Sequence, residues 1–109
     1  SQLVDELASF DNWVNMLDVV PLLKALQEKS QHIQERTLES MFNKIPDLDD
    51  REMKVVRKHT KSIINQLLQQ PIKQAKLMSM SEASEAKKAM FINIFGLDDI
   101  LENEQINNR

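Results

Sequence analysis

A single glycine, Gly96, serves a chain of 109 residues. Hairpin turns, bulges and phosphate-cradling loops draw on glycine because they need a positive φ or a close backbone approach. With one Gly and three Pro, β architecture and nucleotide-binding loops are both starved of material. What remains is the vocabulary of straight-chain helix formers, Leu, Ile, Met, Ala, Gln, Glu and Lys, beside four Phe, one Trp and no Tyr. The fold class is all-α. A hydrophobic share of 41% against 28% charged residues is enough to give one soluble domain a core.

The chain has no Cys, which removes disulfides, thiolate zinc sites and cysteine nucleophiles from consideration and suits the cytoplasm. No apolar run reaches the roughly 18 residues of a membrane span, and no basic segment followed by an apolar one opens the chain as a leader. The first residue is Ser1, inside a helical pattern, so the sequence is read as part of a longer protein. Net charge is −3, but unevenly placed. Residues 1–50 hold ten acids to four bases, 51–76 seven bases to one acid, and 77–109 six acids to three bases.

Leu3, Leu7, Phe10, Val14 and Leu17 recur at the four-three spacing of a coiled-coil seam. They fall within about 80° of arc at 100° per residue. Trp13 and Met16 lie beside that seam. Asp18-Val19-Val20-Pro21 is expected to end this helix, because proline pushes its predecessor out of the α region, and to open a second one running to Lys44. In that second helix Leu22, Leu26 and Ile33 face one way, while Leu38, Met41, Phe42 and Ile45 lie on an arc rotated by about 100°. Ile45-Pro46-Asp47 stops it. Asp49 then reads as an N-cap with Glu52 three helical positions on, and Leu48 and Met53 as a hydrophobic staple.

From there Met53, Val56, Thr60, Ile63, Ile64, Leu67 and Leu68 form a broad stripe that should end at Gln69-Gln70-Pro71. Pro71 is expected to open a short helix with Ile72 and Ala75 inward. Ser79 or Ser81 should cap a last helix striped by Ala83, Ala86, Met90 and Ile94, with Gly96 ending it in a left-handed cap. Residues 98–109 read as a polar, frayed tail.

Catalytic chemistry finds little support. His32 and His59 are single residues on separate helices, and the acids Glu28, Glu35 and Glu39 form a row along one helix, which is ordinarily a solvated or ion-pairing edge. No set of side chains has metal-ligand spacing, and no glycine motif could hold a nucleotide. Catalytic, cofactor and metal residues are accordingly expected to be absent. The strongest charged feature is the basic stripe Arg51, Lys54, Arg57, Lys58 and Lys61. It could meet RNA phosphates, yet no aromatic residue interleaves with it, and pairing with the acidic row is the plainer reading. Helices with two apolar stripes, or a stripe that migrates, leave surface that one chain cannot bury, which calls for another chain or domain.

The order of several runs resembles one family. These are Phe10-Asp11-Asn12-Trp13, Val19-Val20-Pro21 with Leu26 following, Glu39-Ser40-Met41-Phe42-Asn43-Lys44-Ile45-Pro46-Asp47-Leu48, His59-Thr60-Lys61-Ser62-Ile63-Ile64-Asn65-Gln66-Leu67-Leu68 before Pro71-Ile72, and Met90-Phe91-Ile92-Asn93-Ile94-Phe95-Gly96-Leu97. Together they resemble the C-terminal dimerisation domain of bacterial and plant-type glutamyl-tRNA reductase, over residues 10 to 97. The resemblance implies a parent enzyme that reduces glutamyl-tRNA to glutamate-1-semialdehyde with NADPH, the first committed step of tetrapyrrole synthesis. The catalytic cysteine and the NADPH site would lie on other domains of the parent.

On that resemblance residues 1–17 are the end of a long connecting, or spinal, helix. Residues 18–97 are the dimerisation domain, a helical bundle with two long and two shorter helices, dimeric. The residues expected at the dimer interface are Leu3, Leu7, Phe10, Trp13, Val14, Leu17, Val20, Leu26, Ile63, Ile64, Leu67 and Leu68. Expected partners are a second copy and the catalytic and NADPH domains of the parent, with no membrane and no cofactor held here. Contact with RNA, or docking of another protein's helix, are the alternative functions.

Overall fold

The computed structural model describes the backbone of residues 2–107 and the side chains of 18–104 and 106. Among the described residues there are four α-helices and no strand: α1 (Gln2–Lys44), α2 (Asp50–Met78), α3 (Ser84–Phe95) and α4 (Asp98–Asn107). The molecule measures 65 × 30 × 23 Å. Its long axis is close to the length of α1, since 43 residues at 1.5 Å each reach about 64 Å.

Two expected helix breaks do not occur. Pro21 lies inside α1 and Pro71 inside α2, although each removes a ladder donor and crowds the preceding turn. Packing on both sides outweighs this local cost. Val19, Leu22, Ala25 and Leu26 are all buried in one core, so α1 keeps a single inward face across Pro21. Leu68 and Ile72 pack against the same core from either side of Pro71, and Ala75 and Met78 continue it. Without these two breaks the five helices expected from the sequence become three, and α4, in the segment expected to be a tail, makes the fourth.

The turn between the long helices is as the sequence indicates. α1 ends at Lys44, and the Asp49 carboxylate accepts from the Glu52 backbone N–H at 2.8 Å while Glu52 accepts from the Asp49 N–H at 3.0 Å. This capping box, with Leu48 and Met53 both half-buried beside it, starts α2. Near the turn, the buried Gln34 amide donates to the Arg57 carbonyl and to the Thr60 hydroxyl, each at 3.0 Å. The hairpin's narrow end is thereby held by a satisfied polar bridge next to buried Leu38.

α3 packs differently from expectation. Ser79 and Ser81 do not cap it; their hydroxyls donate back to the carbonyls of Lys76 and Met78 at the end of α2. Ala83 precedes α3 instead, in the left-handed region at φ 58° with no side-chain cap. The inward face is Lys88, Phe91, Ile92 and Phe95, with the two phenyl rings 4.8 Å apart. Ala83, Ala86, Met90 and Ile94 are exposed, the last two by 63% and 68%. Two stripes competed for the core, and the one with two aromatic rings removes more surface from water.

Gly96 ends α3 as expected, at φ 62°, and its N–H donates to Asn93 while Leu97 N–H donates to Ile92 at 3.0 Å. That pair of bonds is a Schellman motif, and it drives Leu97 into the core with no exposed surface. The chain then forms α4 where a frayed tail was expected. Ile100 and Leu101 pack against the core, and this tertiary contact holds a segment whose composition alone favours neither helix nor coil.

Candidate interaction surface

Chemistry needs side chains brought together, and the described residues are not arranged that way. His59 is exposed, and its Nδ1 lies 2.8 Å from the Val55 carbonyl one turn earlier on the same helix. His32 is exposed on α1. Among the described residues no group of three His, Asp or Glu is placed to hold a metal ion. Among the described residues no helix is long and apolar enough to cross a membrane.

The basic stripe and the acidic row meet once. Arg57 of α2 forms an ion pair with Glu35 of α1, half-exposed on both sides, a type of contact that adds at most about 1 kcal/mol. Arg51, Lys54, Lys58 and Lys61 remain exposed. A second ionic feature was invisible in the sequence: Lys88 of α3, only 8% exposed, reaches Asp18 of α1 at 3.4 Å and Glu85 at 3.2 Å. Nothing in the spacing marks a lysine there as inward, because Lys88 borrows its place from Phe91 and Phe95 on the same face.

What the fold does present is apolar surface. The stripe on α2 divides into two. Ile64 and Leu68 are half-buried toward α1, whereas Ile63 and Leu67 are 64% and 75% exposed. About 100° of helix separates one pair from the other, and the hairpin turns the Ile64 and Leu68 side toward α1 while leaving the Ile63 and Leu67 side outward. Leu26 sits in the intrachain core, and Val20 is partly exposed. Leu3, Leu7, Phe10, Trp13, Val14 and Leu17 lie outside the residues whose side chains are described. Leu77 on α2 and Met90 and Ile94 on α3 are exposed as well, and the sequence pattern had not singled them out as surface. The larger rings at Phe91 and Phe95 were the available signal that α3 turns its other side outward.

Between α1 and α2 runs an open groove of about 550 Å³. Val20 and Leu23 from α1 and Leu68 and Ile72 from α2 line it, with Lys24, Lys73 and Lys76 along it. An open, apolar, lysine-edged channel between two helices suits a macromolecular surface better than an enclosed small ligand.

Residues 3–97 match the family model described as glutamyl-tRNAGlu reductase, dimerisation domain. The chain is similar to the glutamyl-tRNA reductase of Staphylococcus haemolyticus strain JCSC1435, 52% identical over 98 residues that make up 90% of this chain and 22% of that protein. With the Staphylococcus epidermidis strain RP62A protein of the same name it shares 53% identity over 97 residues, 89% of this chain and 22% of the relative. The Staphylococcus aureus strain NCTC 8325 protein is 45% identical over 104 residues, 95% and 23% of the respective lengths. The chain therefore spans less than a quarter of the length of these relatives. No solved structure gives a significant match.

Proposed function

Because the chain belongs to the glutamyl-tRNA reductase dimerisation-domain family, we propose that it joins two copies of an NADPH-dependent glutamyl-tRNA reductase and takes no part in the chemistry itself. Residues 1–17 would be the end of the helix that connects it to the parent's catalytic and NADPH-binding domains, and 18–97 the unit that pairs. The observation that carries this reading is the outer face of α2, where Ile63 and Leu67 stand 64% and 75% exposed. Solvent-exposed aliphatic residues are individually ordinary. Two of them one turn apart on a helix, beside an open apolar groove, fit a surface completed by another subunit.

The parent reaction would supply glutamate-1-semialdehyde for tetrapyrrole synthesis in the cytoplasm. Light scattering coupled to gel filtration tests the pairing: a dimer whose mass holds on dilution supports it, and a strict monomer well above micromolar concentration rejects it. Contact with tRNA through Arg51, Lys54, Lys58 and Lys61 is the lesser reading, supported by their exposure in a row. A salt titration of tRNA binding with these four residues reversed to Glu decides it.

A further inference from the structure

The groove between α1 and α2 is floored by Val20, Leu23, Leu68 and Ile72, and the charged side chains that line it are all lysines, Lys24, Lys73 and Lys76. We propose that this groove seats residues 3–17 of a second copy of the chain, each subunit giving its helix to the other's groove about a two-fold axis. The proposal rests on the dimer reading and names the segment that fills the site.

Three observations single out that occupant. The first is chemical. Leu3, Leu7, Phe10, Val14 and Leu17 make an apolar seam, and the same segment carries Asp5, Glu6 and Asp11 with no Lys or Arg before Lys24. On a helical projection Glu6 and Asp11 fall on opposite edges of the seam, about 60° and 80° from its centre. An apolar ridge edged by carboxylates complements an apolar channel edged by ammonium groups.

The second is dimensional. The groove follows α1 from Val20 to Ser30, about 15 Å, and so takes about ten residues of the roughly 21 Å of helix that residues 3–17 make. The third is topological. α1 is one unbroken helix from Gln2 to Lys44, so residues 3–17 lie on the same rod as the groove's wall and cannot fold back into it. Only another molecule can present this segment there, and two-fold symmetry then fills both grooves at once.

The chain is free of cysteine, which allows a clean test. A copy carrying Asp11→Cys is mixed with a copy carrying Lys73→Cys and treated with a short bismaleimide, while light scattering follows the dimer. Covalent heterodimer is the expected result. In parallel, the pair Glu6→Lys and Asp11→Lys, and separately the pair Lys73→Glu and Lys76→Glu, should each weaken the dimer about tenfold. Combining all four should restore it to within about threefold, since like charges are removed on both sides. A dimer that forms without cross-linking and without charge rescue overturns this placement and leaves the dimer reading standing. A chain that stays monomeric overturns both.

Discussion

The Lys29 ammonium donates to the Phe95 carbonyl at 2.7 Å and to the Gly96 carbonyl at 3.2 Å, joining α1 to the end of α3 across 66 residues of sequence. These carbonyls sit at the negative end of the α3 dipole, where a cation is most favourable. A Cβ at Gly96 would lie 2.7 Å from Lys29 Nζ, so a side chain there would displace the ammonium from these carbonyls. Lys29→Met keeps most of the side chain's length and removes the charge. It should cost about 1 to 2 kcal/mol, read as a lower urea midpoint by circular dichroism; an unchanged midpoint means the contact contributes nothing.

Lys88 separates the value of an ion pair from the value of filling space. A buried ion pair stabilises little relative to an apolar group of the same shape. Lys88→Met should therefore stay within about 1 kcal/mol of the parent chain, whereas Lys88→Ala, which also removes the packed stem, should lose about 2 kcal/mol. Equal losses in both variants would show that the contacts to Asp18 and Glu85 carry the energy.

Ala83 holds a left-handed backbone at φ 58°, a conformation that costs an L-residue roughly 1 to 2 kcal/mol. Ala83→Gly relieves that strain and loses some of the gain to a freer unfolded chain. A net rise of about 0.5 to 1 kcal/mol in unfolding free energy is expected; a drop would mean that the α2–α3 turn is not strained.

Pro71 interrupts the α2 ladder without breaking it. Pro71→Ala restores a donor in the helix interior and should raise thermal stability, by about 1 to 3 kcal/mol at the midpoint. No gain in a calorimetric melt would indicate that Ala75 and Met78 reach the core only through a bend made by the proline.

Leu67 does not line the α1/α2 groove, so it probes the outer face of α2 independently. Leu67→Glu should leave helix content intact, since the side chain is exposed within one subunit, and weaken the dimer at least tenfold, or about 1.4 kcal/mol. Sedimentation equilibrium with an unchanged dissociation constant would remove this face from the interface.

Local hydrogen-bond chemistry was the most legible part of the sequence. The Asp49–Glu52 box and the Gly96 cap are decided by residues within one turn of each other, and both stand where spacing put them. Pro21 and Pro71 misled because a steric rule about one peptide bond competes with burial several residues to either side, which no local window weighs. Ser79 and Ser81 misled for a related reason, since a hydroxyl near a helix end can bond backward to a carbonyl as well as forward to an amide. The surface was half legible: the excess of apolar stripes pointed to a missing neighbour, while the division of Ile63 and Leu67 from Ile64 and Leu68 depends on how α2 is rotated against α1. Lys88 had no local signal, because its burial is set by the aromatic residues that share its face.

The two prolines that fail to break their helices stand next to residues that line one channel, Pro21 beside Val20 and Pro71 beside Ile72. Each deletes one rung from its ladder, so both walls of the channel are softest to bending at its own depth. Any change in the channel's width would be taken up first at these two missing rungs, away from the Gln34 bridge to Arg57 and Thr60.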